Sequence, residues 1–383
     1  MPKRGAILLL ALLAFLPVST AAAAPAWEQW RQVHGVFDVG GPRADGSLIV
    51  AGSAALSTLT PDGAVAPFAR GPGGYRDDPG LEAYLAVSPG QHVASSGCDF
   101  ARDDIFIERL HTPIGITRVF ASGEESGSFA NVDMSSLNGL VFDTVGSFDH
   151  RLLVAGPRNG RTGIVAIDCN GVGKLIAPSA PPLEGGLAVA PSTFGAFAGD
   201  LVAPDELSGI IWAISPDGTA TQVVNSGLPK GQDIGVESVA FVPSGFTRGG
   251  FAYYADRATA GSAHPGSDSV LRLAGTDLVA AGVQDGDMLA ATEGGASLID
   301  VRCATSCRVT TVIGTPTAAH GEGHLVFTLN RAASPSPRSS ATVTATQPRA
   351  GSSGVPIFVA IAAAVLAALA GVLITLAAIR RSR

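Results

Sequence analysis

Between Ala26 and Asn330 the chain alternates short apolar runs with turns rich in Gly, Pro and Asp, and it shows no long stretch of helical periodicity. Short apolar runs bounded by turn residues predict β-strands. One set reads as four strands, a to d: Gly185-Gly-Leu-Ala-Val-Ala-Pro191, Gly199-Asp-Leu-Val-Ala203, Gly209-Ile-Ile-Trp-Ala-Ile-Ser-Pro-Asp-Gly218 and Thr219-Ala-Thr-Gln-Val-Val224. A Pro-Asp-Gly turn joins strands c and d, with Pro presetting one φ and Gly supplying a positive one.

The same unit recurs. Its b strands start near 48, 93, 152, 201, 251 and 288, a period of roughly 45–50 residues that predicts an all-β fold, a six-bladed β-propeller. A β-sandwich would not repeat the a–b–c–turn–d order. Glu184 to Pro191, Ile214 to Gly218 and Tyr253 to Asp256 carry motifs that resemble the six-bladed propellers related to SMP-30/gluconolactonase, NHL-repeat and virginiamycin B lyase proteins. The likeness spans most of 34–330. It identifies a fold better than an activity. His34-Gly-Val-Phe-Asp38 and His324-Leu-Val-Phe-Thr-Leu329 both read as a strand of the first or last blade. One sheet containing both chain ends would close the ring and remove its open edges.

In a propeller the strands a line the central channel, and the d–a and b–c connections share one face. Glu82, Asn138, Glu184 and Glu237 each precede an apolar strand a, and Asp99, Asp205, Glu206 and Asp256 fall in expected b–c loops. Carboxylates crowded at one mouth repel, which favours protonation or a bound cation. The candidate metal ligands are Glu82, Asn138, Glu184, Glu237, Asp205 and Asp256. Oxygen donors suit a hard divalent cation, calcium before magnesium. The resembled lactonases hold a divalent cation at a similar mouth with a carboxylate assisting. That likeness makes Glu184 and Glu237 the catalytic candidates. His320, Glu322 and His324 occupy i, i+2 and i+4, one face of a strand, and such a trio suits zinc. The two intervening glycines loosen the strand, and the expected role is a polar strand entry. No Gly-x-Ser-x-Gly elbow, His-Glu-x-x-His or phosphate loop is present.

The ends change the picture. Residues 1–24 carry Lys3, Arg4, an apolar run from Ala6 to Leu16 and a small-residue exit, the pattern of a secretory signal peptide. The run Val355–Ile379 has no charged residue and is long enough for a membrane span of roughly 20 residues. The arginines of the tail 380–383 place that tail in the cytoplasm and the body outside the cell. Residues 333–354, rich in Ser, Pro and Thr, read as a stalk between the span and the propeller, which is taken as 27–332. The net charge of −7 without a basic cluster argues against nucleic-acid partners.

Four cysteines in an exported chain favour disulfides. Cys303 and Cys307 flank a c–d turn and are expected to pair locally, leaving Cys98 to pair with Cys169. Cys98 reads as b–c and Cys169 as c–d, on opposite faces. Trp27 and Trp30 are expected to pack on an outermost strand. Together these features predict a membrane-anchored extracellular platform for an unidentified ligand or protein partner. The alternative is a metal-dependent hydrolase of the lactonase type, with its site at the mouth.

Overall fold

The central strands of the repeats read as unbroken apolar runs because both of their faces are covered. Leu201–Asp205 and Leu298–Cys303 are buried almost throughout, a sign of sheets stacked against neighbours on either side. The computed structural model, which describes residues 24–76 and 82–330, shows six antiparallel four-stranded sheets whose innermost strands neighbour one another around a closed ring. The protein is an all-β, six-bladed propeller.

Innermost strand first, blade 1 is Val36–Gly40, Leu48–Gly52, Ala55–Leu59 and Val65–Phe68, and blade 2 is Leu85–Val87, Ile105–Arg109, Gly115–Val119 and Ser126–Asn131. Blade 3 is Gly139–Phe142, Leu152–Arg158, Arg161–Ile167 and Gly173–Ala180. Blade 4 is Ala188–Val189, Leu201–Asp205, Ile210–Ile214 and Ala220–Asn225.

The last two blades are interleaved. After Val236–Phe241, the innermost strand of blade 5, the chain crosses to blade 6 and lays down Gly250–Asp256 and Ser269–Ala274. A short helix, Gly275–Ala280, leads back to Met288–Thr292, Leu298–Cys303 and Cys307–Ile313, which complete blade 5. Gly321–Leu329 then becomes the innermost strand of blade 6, and Glu28–Gln32 forms its outer edge against Ser269–Ala274. One sheet thus holds both ends, as the ring-closure argument required. The N-terminal strand is 28–32, whereas 36–40 lines the channel of blade 1.

There is no single core. Six apolar clusters fill the six gaps between adjacent blades, such as Phe106, Ile116, Leu140 and Val154 between blades 2 and 3. Trp30 packs on Tyr253 and Trp27 on Tyr254, so the outer strand closes the ring with aromatic burial as well as backbone pairing. Every strand of the six blades lies within 28–329, so that span holds the whole propeller.

Two sequence expectations are corrected. The segment near 93 is not strand b of blade 2, whose strand b is Ile105–Arg109; His92–Val93 belongs to a small extra hairpin with Cys98–Asp99. Residues 250–274, expected to complete the fifth unit, serve the sixth. Sequence order suggests the simpler grouping, and only the pairing of 250–256 with 321–329 reveals the exchange.

Both expected disulfides are present, Cys98–Cys169 and Cys303–Cys307. The expected conflict of faces disappears because Cys98 sits in the a–b hairpin, on the same face as the c–d turn that carries Cys169. Asp99 shares that hairpin, stands exposed and contacts His92 at 2.9 Å. It lies on the face opposite the mouth and is not one of the mouth carboxylates. The signal segment, the stalk, the C-terminal apolar run and the arginine tail lie outside the described residues. Among the described residues no helix is long and apolar enough to cross a membrane.

Candidate functional site

The mouth is built where innermost strands begin and b–c loops turn. Three innermost strands are irregular there: bulges fall at Phe37, at Glu237 and at the segment after Glu322. A bulge leaves an extra residue out of the ladder and re-aims its neighbours. In blade 5 the extra residue is Glu237, whose side chain turns inward and is buried. It therefore lies below the rim.

Glu237 and Glu322 are bridged by the Tyr84 hydroxyl, which lies 3.0 Å from Glu237 Oε1 and 2.8 Å from Glu322 Oε1. One hydroxyl proton cannot be donated to both. Burial first, and then Glu322, Glu293, Glu184 and Glu206, push Glu237 well above the ordinary carboxylate range. Glu322 is pushed the same way by burial, Glu82 and Glu293, against the pull of Arg257 and Tyr84. At least one of these acids therefore carries a proton and donates within the group.

Glu293, in the b–c loop of blade 5, lies 2.8 Å from His320 Nε2, and Glu322 lies 4.0 Å from the same nitrogen. Donor atoms of Glu293, His320 and Glu322 fall within 4.8 Å of one another, and all three residues are buried. His320 Nδ1 and Glu206 Oε1 are buried without a hydrogen-bond partner among the described residues. Glu206, in the b–c loop of blade 4, is pushed to about 8 by burial and by Glu293. Arg257 forms an ion pair with Glu82, and its Nη1 lies 3.6 Å from Glu322. Burial opposes its charge, but Glu82 and Glu322 outweigh that and hold it above its ordinary value. Six glutamates (82, 184, 206, 237, 293 and 322) thus share this end of the channel with one arginine and one histidine.

Not every predicted residue joins the cluster. Glu82, Glu184 and Glu237 do, and Glu184 stands exposed at the rim with its carboxyl raised by desolvation, Glu82 and Glu293. Asn138 lines a neighbouring cleft of about 410 Å³ together with Glu184, Asp205 and Glu206. Asp205 folds back on its own turn, accepting from Ser208 N at 3.2 Å and Ser208 Oγ at 2.6 Å. Asp256 accepts from His320 N at 2.8 Å and from the Ser267 hydroxyl. These two carboxylates hold backbone in place and have little left for a metal.

His324 also leaves the expected trio. Gly323 has φ +67, and the bulge around it breaks the alternation that would have placed 320, 322 and 324 on one face. His324 instead braces three blades. Its Nδ1 lies 3.0 Å from Asp38 of blade 1, and its Nε2 lies 2.9 Å from the Leu140 carbonyl of blade 3. Burial opposes its charge, yet Asp38 and that carbonyl hold it above the ordinary histidine value, and each ring nitrogen faces an acceptor oxygen. Asp38, fully buried, also accepts from the amides of Val39, Leu85 and His324.

No protein-family model and no curated protein matches the chain. Solved propellers do. A chain of a nidogen/laminin complex matches at 11% identity and TM-score 0.46, over 77% of this chain and 85% of its own. Virginiamycin B lyase from Staphylococcus aureus matches at 13% identity and TM-score 0.38, over 77% of this chain and 92% of its own. A gluconolactonase from Xanthomonas campestris matches at 15% identity and TM-score 0.37, over 60% of this chain and 69% of its own. Virginiamycin B lyase and gluconolactonase, two of the groups that the sequence resembles, are thus among the solved structures the chain is similar to.

Glu293, Tyr84, Arg257 and Asp38 escaped the sequence reading. The strand near 288 is a strand b in both the sequence reading and the structure, so Glu293 falls in a b–c loop either way; it escaped because it belongs to no repeated motif. Tyr84 and Asp38 sit inside apolar runs and look like core positions.

Proposed function

We propose that the propeller is the extracellular part of a membrane-tethered protein that binds a ligand or partner at its acidic mouth, through a divalent cation held there. The observation that carries this reading is the convergence of Glu293, His320 and Glu322 within 4.8 Å, all buried, beside the unpartnered Glu206 Oε1. Buried carboxylates that outnumber their cations are relieved by a metal or by protons. Two carboxylates and an imidazole suit zinc or manganese better than the calcium expected from oxygen donors alone. Glu293, His320 and Glu322 would hold the ion, with Glu206 nearby, and Tyr84 and Arg257 would keep the remaining acids in place. At the exposed edge of the cluster, Glu184 and the cleft beside it offer the surface where a ligand meets the ion.

The test is metal content and calorimetric titration of the purified propeller with zinc, manganese and calcium. Zinc or manganese is expected to bind at one site and to raise the melting temperature, since a ligand that binds only the folded state stabilises it. Glu293→Gln and Glu322→Gln should each abolish that rise. A wild type that melts identically in chelator and in each cation defeats the reading.

One observation favours the hydrolase alternative: Glu206, pushed to about 8, keeps a proton at neutral pH, as a general acid must. In that reading a lactone ring oxygen is protonated from Glu206. A panel of lactones tested on wild type and Glu206→Gln decides it, and the absence of turnover with the metal bound leaves the binding platform.

A further inference from the structure

The channel has two unlike ends. At the mouth it is filled by the glutamate cluster, whereas from the opposite face a cavity of about 410 Å³ enters between the six innermost strands and reaches as far as His324. Leu85, Val87, Val141, Leu187, Phe241 and Phe327 are among the side chains that line it, and Val87, Val141 and Phe241 are only half-buried, packed on the inter-blade clusters with part of their surface left open. The floor offers no free polar group, because both nitrogens of His324 are engaged. Water filling the bore would amount to roughly a dozen molecules at about 30 Å³ each, most with an apolar wall beside them.

Polar groups appear only at the rim. Ser88 Oγ accepts from Gly90 N, and Asp103 accepts from Ala44 N at 2.8 Å. Arg102 is different. Its guanidinium makes one bond, Nη1 to the Pro89 carbonyl at 3.2 Å, and it has no carboxylate within ion-pairing distance among the described residues. Arg102 is thus the cation at the entrance, beside an Asp103 whose Oδ1 is taken up by the Ala44 amide.

We propose that this blind bore is a second binding site, for a small anionic amphiphile whose apolar body fills the channel and whose acidic head meets Arg102. The volume falls within the few hundred to about 1,000 Å³ usual for small-molecule pockets, and the pattern of apolar walls with one placed charge is typical of them. The innermost strands hold the walls, so the pocket exists before the ligand arrives. It lies on the face opposite the glutamate cluster and does not depend on the cation reading.

The probe is decanoate, with 1-decanol as its uncharged counterpart, titrated calorimetrically into the propeller at three temperatures. Decanoate is expected to bind with a negative heat-capacity change, the mark of apolar burial, and with a dissociation constant well below about 1 mM. Val141→Trp and Val87→Trp, which narrow the bore from different blades, should each weaken it at least about tenfold, or roughly 1.4 kcal/mol. Arg102→Ala should bring decanoate down to the affinity of decanol and leave decanol unchanged. Wild-type circular dichroism and a wild-type melting temperature in each variant show that folding is intact. The proposal is overturned if decanoate does not bind, if both bore-filling variants bind it as well as wild type, or if Arg102→Ala weakens acid and alcohol alike.

Discussion

Asp300, in the third strand of blade 5, offers a clean test of the electrostatic reasoning away from the mouth. It shares a largely buried pocket with Asp287, and only Arg302 serves both. Arg302 Nε lies 2.7 Å from Asp287 Oδ1, and its Nη2 stands 3.9 Å from Asp300 Oδ2. Asp300 Oδ1 has no hydrogen-bond partner among the described residues. Burial first, and then Asp287, raise Asp300 from 3.8 to about 7, with Arg302 offsetting part of the effect. A raised carboxyl pKa in the folded state contributes stability that is fully present below the unfolded value and is lost as pH rises through the folded one. The window here runs from about pH 4 to about pH 8. Roughly three pKa units at about 1.4 kcal/mol each set a ceiling of about 4 kcal/mol, and sharing the proton with Asp287 reduces it to about 2. Asp300→Asn keeps the shape without the charge. It should melt several degrees above wild type at pH 8, at about 2–4 °C per kcal/mol, and should converge with wild type at pH 4. The assay is thermal denaturation of both proteins at pH 4, 6 and 8 in chelator, so that any cation at the mouth is removed from both. Parallel pH profiles would refute the argument, because they would mean that the native state holds Asp300 charged at no cost.

Three further outcomes follow from the fold. Replacing Cys98 and Cys169 by Ser should cost about 4 kcal/mol by the loop-entropy relation for a separation of 71 residues, against about 2 for the Cys303–Cys307 pair with a separation of 4, and melting under non-reducing conditions ranks them. Asp38→Ala should cost at least about 3 kcal/mol, because it removes the buried acceptor shared by three amides and the His324 ring; a loss under about 1 kcal/mol in urea unfolding would contradict the brace. Deleting residues 24–32 removes the outer strand of blade 6 and uncovers Tyr253 and Tyr254, so the product should aggregate or bind a hydrophobic dye; a soluble monomer with the wild-type melting temperature would show that the strand is dispensable.

Much of the architecture could be read from the chain because a propeller is local for most of its length. In blades 1, 3 and 4 successive strands pair with one another, so Leu152–Arg158 and Arg161–Ile167 announce themselves by apolar runs and turns. What escaped is non-local. Residues 250–274 carry the same strand signal whichever blade receives them, and nothing in their periodicity names Gly321–Leu329 as their partner. The mouth followed the same rule. Glu184 and Glu82 were visible as polar groups before apolar strands. Glu293 stands in a b–c loop by either reading but carries no repeated motif, and the separation of His324 from His320 and Glu322 depends on a bulge that a Gly only permits.

The exchange between the last two blades also sets the order in which the molecule is finished. Ser269–Ala274 finds its outer neighbour, Glu28–Gln32, already made, whereas Gly250–Asp256 has no inner neighbour until the strand that ends at Leu329 emerges. His320 and Glu322 ride on that final strand, while Glu82, Glu206, Glu237 and Glu293 come from four earlier points of the chain. The full cluster is therefore complete only when the last propeller strand, with His320 and Glu322 at its start, takes its place beside Gly250–Asp256. Any partner that recognises the assembled cluster recognises, in the same contact, a propeller that has been completed.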